Sequence, residues 1–164
     1  MQGVVVKSTG SWYVVKIDDG KLLNCRIRGK FRIQGIKSTN PVVVGDRVKI
    51  SQEEDSYLID ELFDRKNIIS RKSVNLSKQT HILASNIDQA ILVVTMQSPQ
   101  TSTNFIDRFL VSAQAYGVDV VILFNKTDLF DKATLSLLEE RRFIYEKIGY
   151  HSLSKSALND DLSD

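Results

Sequence analysis

A short polar segment directly after the apolar run 118–124 carries the clearest chemistry in this chain. It contains Asn125, Lys126 and Asp128 in the pattern Asn-Lys-x-Asp. The carboxylate of Asp128 can accept two hydrogen bonds, from the ring N1–H and the exocyclic amine of guanine, and adenine presents no such donor pair. Asn125 would contact another edge of the base or brace the loop, and the methylene stem of Lys126 would cover the base plane. The segment therefore predicts a site that selects guanine.

The alternative interpretation of this segment is a polar loop that ends a strand and caps a helix. The run 118–124 has the composition of a buried parallel strand, and residues 131–147 have the pattern of the helix that follows it. In open α/β sheets, ligands bind outside the carboxyl ends of the strands. The position of the segment therefore favours base recognition.

Phosphate chemistry has no corresponding segment in residues 1–164. A GTPase needs a Gly-x-x-x-x-Gly-Lys-Ser/Thr loop, whose backbone N–H groups hold the phosphates. Gly20-Lys21 and Gly29-Lys30 are followed by Leu22 and Phe31 instead of a hydroxyl residue, and no Asp-x-x-Gly sensor of the γ-phosphate occurs. Either the motifs stand in a permuted order or the chain is not a GTPase.

The elements that must position this site begin with a β-rich region. Short alternating strands are predicted at 4–6, 12–17, 22–28, 47–51 and 57–63, and Asp19-Gly20 has the signature of a hairpin turn. Five strands of this length favour an OB-fold, with an SH3-like barrel as the competing architecture. Of Trp12 and Tyr13, which alternate faces, one should lie in the core and the other at the surface.

The second half of the chain has an α/β pattern. Strands are predicted at 90–95, 118–124 and near 150–153, with helices at 104–116 and 132–147. Two successive β-α-β crossovers imply parallel strands. Thr103 or Asn104 should cap the first helix, and Gly117 should end it. We therefore expect an OB-fold at 1–64, a basic linker at 65–80, and a partial parallel α/β domain of the P-loop GTPase type at 81–164.

Charge is distributed unevenly between the two halves. Residues 1–80 carry 15 Lys and Arg against 9 Asp and Glu, whereas residues 81–164 carry 7 against 11. The basic half predicts an anionic partner, with RNA ahead of a membrane. Cys25 is the single cysteine and is expected to pack rather than react, and His81 and His151 lack ligand spacing, so no metal site is predicted. The start of the sequence lacks a secretory pattern, and we expect a cytoplasmic protein.

Several ordered motifs carry a family resemblance. They are Arg28-Gly29-Lys30-Phe31-Arg32, Pro41-Val42-Val43-Val44-Gly45-Asp46-Arg47-Val48, Arg65-Lys66-Asn67, Arg71, Ala84-Ser85-Asn86-Ile87-Asp88-Gln89 and Asp107-Arg108-Phe109-Leu110. In these motifs the chain resembles the circularly permuted, ribosome small-subunit-dependent GTPases of bacteria. In that family an OB-fold precedes a GTPase domain in which the base-recognition motifs come first and the phosphate loop follows.

The resemblance implies a function and a set of ligands. The function is that of a GTP hydrolase acting in maturation of the small (30S) ribosomal subunit, with the subunit and its rRNA as partners. A turn at Ser156 and Ala157 would complete the guanine site. GTP or GDP would be the ligand, with Mg²⁺ only in the full-length protein and zinc only in a region beyond residue 164. We expect residues 1–164 alone to be a monomer without hydrolase activity.

The basic residues around the loop 29–40 suggest contact with RNA. An aromatic side chain interleaved with cations in an OB-like barrel suits a nucleic-acid backbone with one stacked base. The candidate residues are Arg26, Arg28, Lys30, Phe31, Arg32 and Lys37. The alternative function for the whole chain is an RNA-binding OB module on an α/β scaffold without nucleotide activity.

Overall fold

The computed structural model describes residues 1–29, 41–54, 56–72 and 80–159. It divides into two compact units, Met1–Ile87 and Asp88–Asp164, called here the barrel unit and the sheet unit. Within the described residues, no helix has the length and apolar character needed to cross a membrane.

Five strands close the barrel of the first unit. They pair in the order β1-β2-β3-β5-β4, with β1 also paired to β4 and with β3 and β5 parallel. Their bounds are β1 Gln2–Thr9, β2 Trp12–Ile17, β3 Leu22–Ile27, β4 Arg47–Glu53 and β5 Ser56–Leu62. This arrangement confirms the predicted OB-like barrel over the SH3-like alternative.

Alternation along each strand produces the barrel core. Tyr13, Val15 and Cys25 are buried inside it, while Trp12 remains 48% exposed, as the alternation between Trp12 and Tyr13 predicted. The turn between β2 and β3 is the expected tight hairpin, since Gly20 has a positive φ of 85° and its N–H donates to Ile17. Burial raises the pKa of the Cys25 thiol to about 11, which keeps it protonated and unreactive at neutral pH.

A two-stranded sheet lies in the barrel unit beyond β5. It pairs β6, Ile68–Lys72, with β7, Thr80–Ser85, in antiparallel register. Part of the segment predicted as a linker is therefore a strand, and residues 81–87, assigned from the sequence to the second domain, lie in the first unit. The reason is tertiary: β6 has only two consecutive isoleucines and no alternation, so its structure depends on pairing with β7.

A buried carboxylate joins this small sheet to the barrel. Asp46 is fully buried; its Oδ1 accepts from Arg65 Nε at 2.7 Å and from Ser85 Oγ at 2.5 Å. Its Oδ2 accepts from Arg65 Nη2 and from the Val43 N–H, both at 2.8 Å. Four donors thus satisfy both oxygens, which is what a buried charge requires. Beside it, a Cβ at Gly45 would lie 1.9 Å from the Ser85 carbonyl oxygen, so this contact requires glycine.

The sheet unit contains three parallel strands in the order β10-β9-β8. Its elements are β8 Gln89–Thr95, α1 Thr103–Ala115, β9 Asp119–Asn125, α2 Lys132–Lys147 and β10 His151–Ser154. The predicted α/β architecture is confirmed, and each element begins and ends within one residue of its expected bounds. One correction concerns the cap of α1, because Ser102, and not Thr103 or Asn104, accepts a hydrogen bond from the Phe105 N–H. Gly117 has a φ of 67° after the helix, as expected.

Candidate functional site

The carboxyl ends of the three parallel strands meet at one edge of the sheet unit. β8 ends at Thr95, β9 at Asn125 and β10 at Ser154. In the sheet register, Thr95 is paired with Asn125, and Ser154 is paired with Phe124. The loops after these strands therefore start side by side, which brings the five predicted guanine-binding residues into one neighbourhood.

Lys126 turns the chain immediately after β9. Its backbone is left-handed, with φ 69° and ψ 37°, a conformation that is uncommon for a residue with a long side chain. A single 3-10 turn, Thr127–Leu129, follows it. The Lys126 ammonium donates to the Ser98 carbonyl in the loop after β8. This contact fixes the lysine stem across the gap between two neighbouring loops.

The side chain of Asn125 braces the loop after β9 against the loop after β10. Its Oδ1 accepts from the Lys126 N–H at 2.8 Å and from the Ala157 N–H at 3.0 Å. The sequence left two roles open for Asn125, contact with the base or bracing of the loop. The amide oxygen braces, and the amide nitrogen retains donor capacity for a base.

Asp128 is held by a buried serine from the next loop. The Ser156 hydroxyl donates to Asp128 Oδ1 at 2.5 Å, and Ser156 is only 2% exposed while Asp128 is exposed. Within the described part of the chain, Oδ2 of Asp128 has no hydrogen-bond partner. One carboxylate oxygen is therefore oriented by the protein and the other is open to solvent. A carboxylate oriented in this way can accept two parallel N–H groups from a planar ligand.

Ala157 occupies a different place in the network from the one expected. Its N–H was predicted to meet the guanine carbonyl, and in this structure it donates to Asn125 Oδ1. A base carbonyl would have to share this donor with Asn125 or take its place. Asn125 and Ala157 are therefore coupled, because any ligand that contacts one of them changes the hydrogen bonding of the other.

The loop between β8 and α1 contributes contacts that sequence reasoning missed. Besides the Ser98 carbonyl, Gln97 donates through Nε2 to the Leu129 carbonyl at the end of the 3-10 turn. The signal was available, because this loop also follows a parallel strand and its carboxyl edge is shared. Its residues Gln97 to Thr103 carry no recognisable motif, however, so nothing in their types pointed to the site.

Two of the six predicted RNA-binding residues lie in the described part of the barrel unit. The Arg26 guanidinium lies 3.8 Å from the centre of the Trp12 ring. Arg28 contacts Glu53 and Asp60, each at 2.6 Å. Hydrogen bonds from Asp60 and Glu53 raise the pKa of Arg28 and offset much of its charge locally. Lys30, Phe31, Arg32 and Lys37 lie outside the described residues.

Neither the largest cavity nor the acidic groups compete with this site as a place for ligand chemistry. A cavity of about 770 Å³ opens at the opposite, amino edge of the same sheet, lined in part by Leu110, Val120 and Ile148. Its apolar lining offers no set of groups selective for one ligand, so we assign the site by chemistry and not by volume. Among the described residues, no three His, Cys, Asp or Glu side chains form a group that could hold a metal ion.

Comparison with known families gives matches over nearly the whole chain. The family described as RsgA GTPase matches residues 62–163, and the family described as RsgA N-terminal domain matches residues 2–57. The small ribosomal subunit biogenesis GTPase RsgA of Bacteroides fragilis is 56% identical over 162 residues, which are 98% of this chain and 52% of that protein. The protein of the same name from Christiangramia forsetii is 55% identical over 163 residues, covering 97% of this chain and 52% of its own length.

Solved structures agree with the sequence matches. The crystal structure of YjeQ from Thermotoga maritima has a TM-score of 0.73 and 34% identity, over 96% of this chain and 52% of that one. The crystal structure of YloQ, a circularly permuted GTPase, has a TM-score of 0.66 and 29% identity over the same shares. The chain spans about half the length of the relatives and structures that it matches.

Proposed function

Because the chain belongs to the RsgA GTPase family, we propose that it is the guanine-recognising part of a GTP-binding and GTP-hydrolysing protein that acts in maturation of the small (30S) ribosomal subunit. Relatives named for small ribosomal subunit biogenesis share half or more of its residues. The proposed ligands are GTP and GDP, and the proposed partners are the small subunit and its rRNA. We place this activity in the cytoplasm and expect a monomer.

The observation that carries the proposal is the half-occupied carboxylate of Asp128. Ser156 fixes one oxygen, so the carboxylate keeps its orientation without a ligand, and the second oxygen faces solvent. The N1–H and the exocyclic amine of guanine would approach this carboxylate together, in the plane of the base. Adenine has neither donor on that edge, and a site built around such a hydrogen bond can discriminate by roughly 10⁴-fold.

The other residues of the site would hold the base in place. The Lys126 stem, stretched between its left-handed backbone and the Ser98 carbonyl, would lie along one face of the purine. The Asn125 amide nitrogen would donate to the acceptor edge of the base. The Ala157 N–H would serve the guanine carbonyl, with the turn already positioned by Ser156 and Asn125.

Residues 1–164 offer base recognition without phosphate chemistry. Phosphoryl transfer needs a phosphate-holding loop, magnesium and a positioned water, and the phosphate-loop pattern does not occur in this sequence. We therefore propose that this chain alone binds guanine nucleotides weakly and does not hydrolyse GTP. As the family resemblance implies, magnesium and zinc would be held by segments outside these residues in a full-length protein.

A second candidate function is RNA binding by the barrel without nucleotide activity. The exposed Trp12 with Arg26 stacked on it favours this candidate, since an aromatic side chain beside cations suits nucleic acid. The two functions are compatible in one chain. They differ in which unit carries the activity, so a ligand that perturbs only the sheet unit separates them.

Nuclear magnetic resonance can test base recognition on the chain as it is. Uniformly ¹⁵N-labelled protein is titrated with GDP and with ADP, both at millimolar concentration because binding is weak. We expect GDP to shift the amide resonances of Lys126, Asp128 and Ala157, and ADP to leave them unchanged. Equal shifts with both nucleotides would reduce the site to a general phosphate contact, and no shift with either would overturn the assignment.

The control for this titration is the variant Ser152→Ala. Ser152 is also a buried serine of the sheet unit, but its hydroxyl donates to Glu146 and not to the loops at the carboxyl edge. This variant should retain the GDP-specific shifts. Phosphate release from GTP, followed in the same samples, should stay at the level of the buffer.

A further inference from the structure

One outer face of the barrel concentrates positive charge around the only tryptophan of the chain. We call it the β1–β3 face. Exposed residues of β2 alternate with the buried core residues Tyr13 and Val15, so Trp12 and Lys16 point to the same side. The register pairs Lys7 with Val14 and Val4 with Lys16, which places β1 residues beside them. The charged and aromatic members of the β1–β3 face are Lys7, Trp12, Lys16, Arg26 and Arg47.

The centre of the β1–β3 face is the stack of Arg26 on Trp12. The guanidinium lies 3.8 Å from the ring centre, and 48% of Trp12 is exposed. A large aromatic side chain with this exposure costs solvation free energy, and the contact with Arg26 compensates only part of its surface. The pair forms a flat, partly apolar and positively charged platform.

The cations of this face are not neutralised by neighbouring acids. Within the described residues, Lys7, Lys16, Arg26 and Arg47 form no ion pair, because the ion pairs of the barrel involve other residues. Those residues are Lys21 with Asp19, Arg28 with Glu53 and Asp60, and Lys49 with Glu61. The positive charge of the β1–β3 face therefore remains available to a partner, whereas that of Arg28 does not.

We propose that the β1–β3 face binds a single-stranded segment of RNA, with one unpaired base stacked on the Trp12 and Arg26 platform. The phosphates on either side of that base would contact Lys7 and Lys16, the latter about 13 Å along the strand from Trp12. This inference rests on the proposed ribosomal partner, and it moves the contact from the Arg28 region to β1, β2 and β3.

Unpaired RNA fits this surface better than a duplex does. Proteins recognise single strands by stacking bases on aromatic side chains and guanidinium planes, in front of a cationic track for the backbone. The bases of a duplex are stacked on one another and cannot reach a ring that lies flat on a barrel. In OB-folds, the face of strands 2 and 3 is the usual binding surface for oligonucleotides, and Trp12 and Arg26 belong to these two strands.

The fluorescence of Trp12 reports directly on stacking. Wild-type protein is titrated with a ten-nucleotide oligoadenylate at about 50 mM salt, where phosphate contacts are strong. We expect the emission to be quenched as the base covers the ring. In parallel, fluorescence anisotropy of a 5′-labelled oligonucleotide measures affinity without using tryptophan, so that variants at this position can be compared.

Three substitutions separate stacking from charge. Trp12→Ala should weaken binding by about 5- to 100-fold, the range for loss of one base–aromatic contact. Trp12→Phe should retain most of the affinity. Lys16→Gln should reduce the slope of log affinity against log salt by about 0.7, the value for one phosphate on a single strand. The control Leu22→Ala removes another exposed apolar side chain, 62% exposed, and should change nothing.

Several outcomes would overturn the inference. They are unchanged affinity in Trp12→Ala, binding of oligoadenylate without quenching, and binding of a duplex in preference to the single strand. The thermal unfolding of each variant is recorded, so that a loss of binding is interpreted only in folded protein. The GDP and ADP titration of the sheet unit, made on the same variants, tests the proposed function separately, because it does not depend on the barrel face.

Discussion

Removal of the buried carboxylate should destabilise the barrel unit severely. In Asp46→Ala, the Arg65 guanidinium loses two hydrogen bonds of 2.7 and 2.8 Å and its counter-charge, while Ser85 and the Val43 N–H each lose an acceptor. Breaking a buried ion pair by deleting one partner costs about 3–5 kcal/mol. We take about 3–4 kcal/mol, because the Arg65 side chain is 18% exposed and keeps its bond to the Pro41 carbonyl.

The expected change in melting temperature follows from the size of the unit. For domains of this length, 1 kcal/mol corresponds to about 4–8 °C, so Asp46→Ala should lower the Tm by roughly 12–30 °C. Unfolding of the barrel unit is followed by the emission of Trp12, which lies within it. The matched control is Asp60→Ala, which breaks the Arg28 pair at side-chain exposures of 40% and 25% and should cost about 1 kcal/mol or less. Equal Tm changes in the two variants would refute the reasoning.

Two further predictions concern the sheet unit. Ser156→Ala removes the hydrogen bond that orients Asp128, so GDP affinity should fall by about 10-fold or more, as shown by NMR titration, and unchanged affinity would contradict the role of Ser156. The Thr134 hydroxyl and N–H lower the pKa of Asp131, the cap of α2, so the cap contributes stability above the unfolded-state pKa of about 3.9 and loses it as the pH falls through the folded value. Asp131→Asn keeps a cap without titration, so its Tm difference from wild type should shrink at about pH 3 relative to pH 7; a constant difference would show that the carboxylate is not involved.

Much of the fold was predictable because hydrophobic alternation and turn signals agree with the tertiary structure. The barrel strands, the parallel sheet and helix α2 follow from local periodicity, and the family expected from ordered motifs is the family that matches. The predicted guanine residues are brought together because parallel strands present their carboxyl ends at one edge. A few positions in sequence therefore determine a neighbourhood in space.

The features that sequence reasoning missed depend on contacts between distant segments. β6 forms only by pairing with β7, and nothing in its own pattern indicates a strand. Arg28 was grouped with RNA-binding residues because it lies among cations in sequence, yet β4 and β5 bring Glu53 and Asp60 against it. Burial of Asp46 likewise depends on Arg65 and Ser85, which lie 19 and 39 residues away.

The most direct test of guanine recognition reverses the hydrogen-bonding character of Asp128. In Asp128→Asn, the amide oxygen can still accept from N1–H, but the amide nitrogen meets the exocyclic amine of guanine as donor against donor. Xanthine carries a carbonyl at that position, so the variant should bind xanthosine diphosphate better than GDP, while the wild type prefers GDP. NMR titration of both proteins with both nucleotides measures the two preferences. An unchanged preference for GDP in Asp128→Asn would contradict the assignment of this carboxylate to the base.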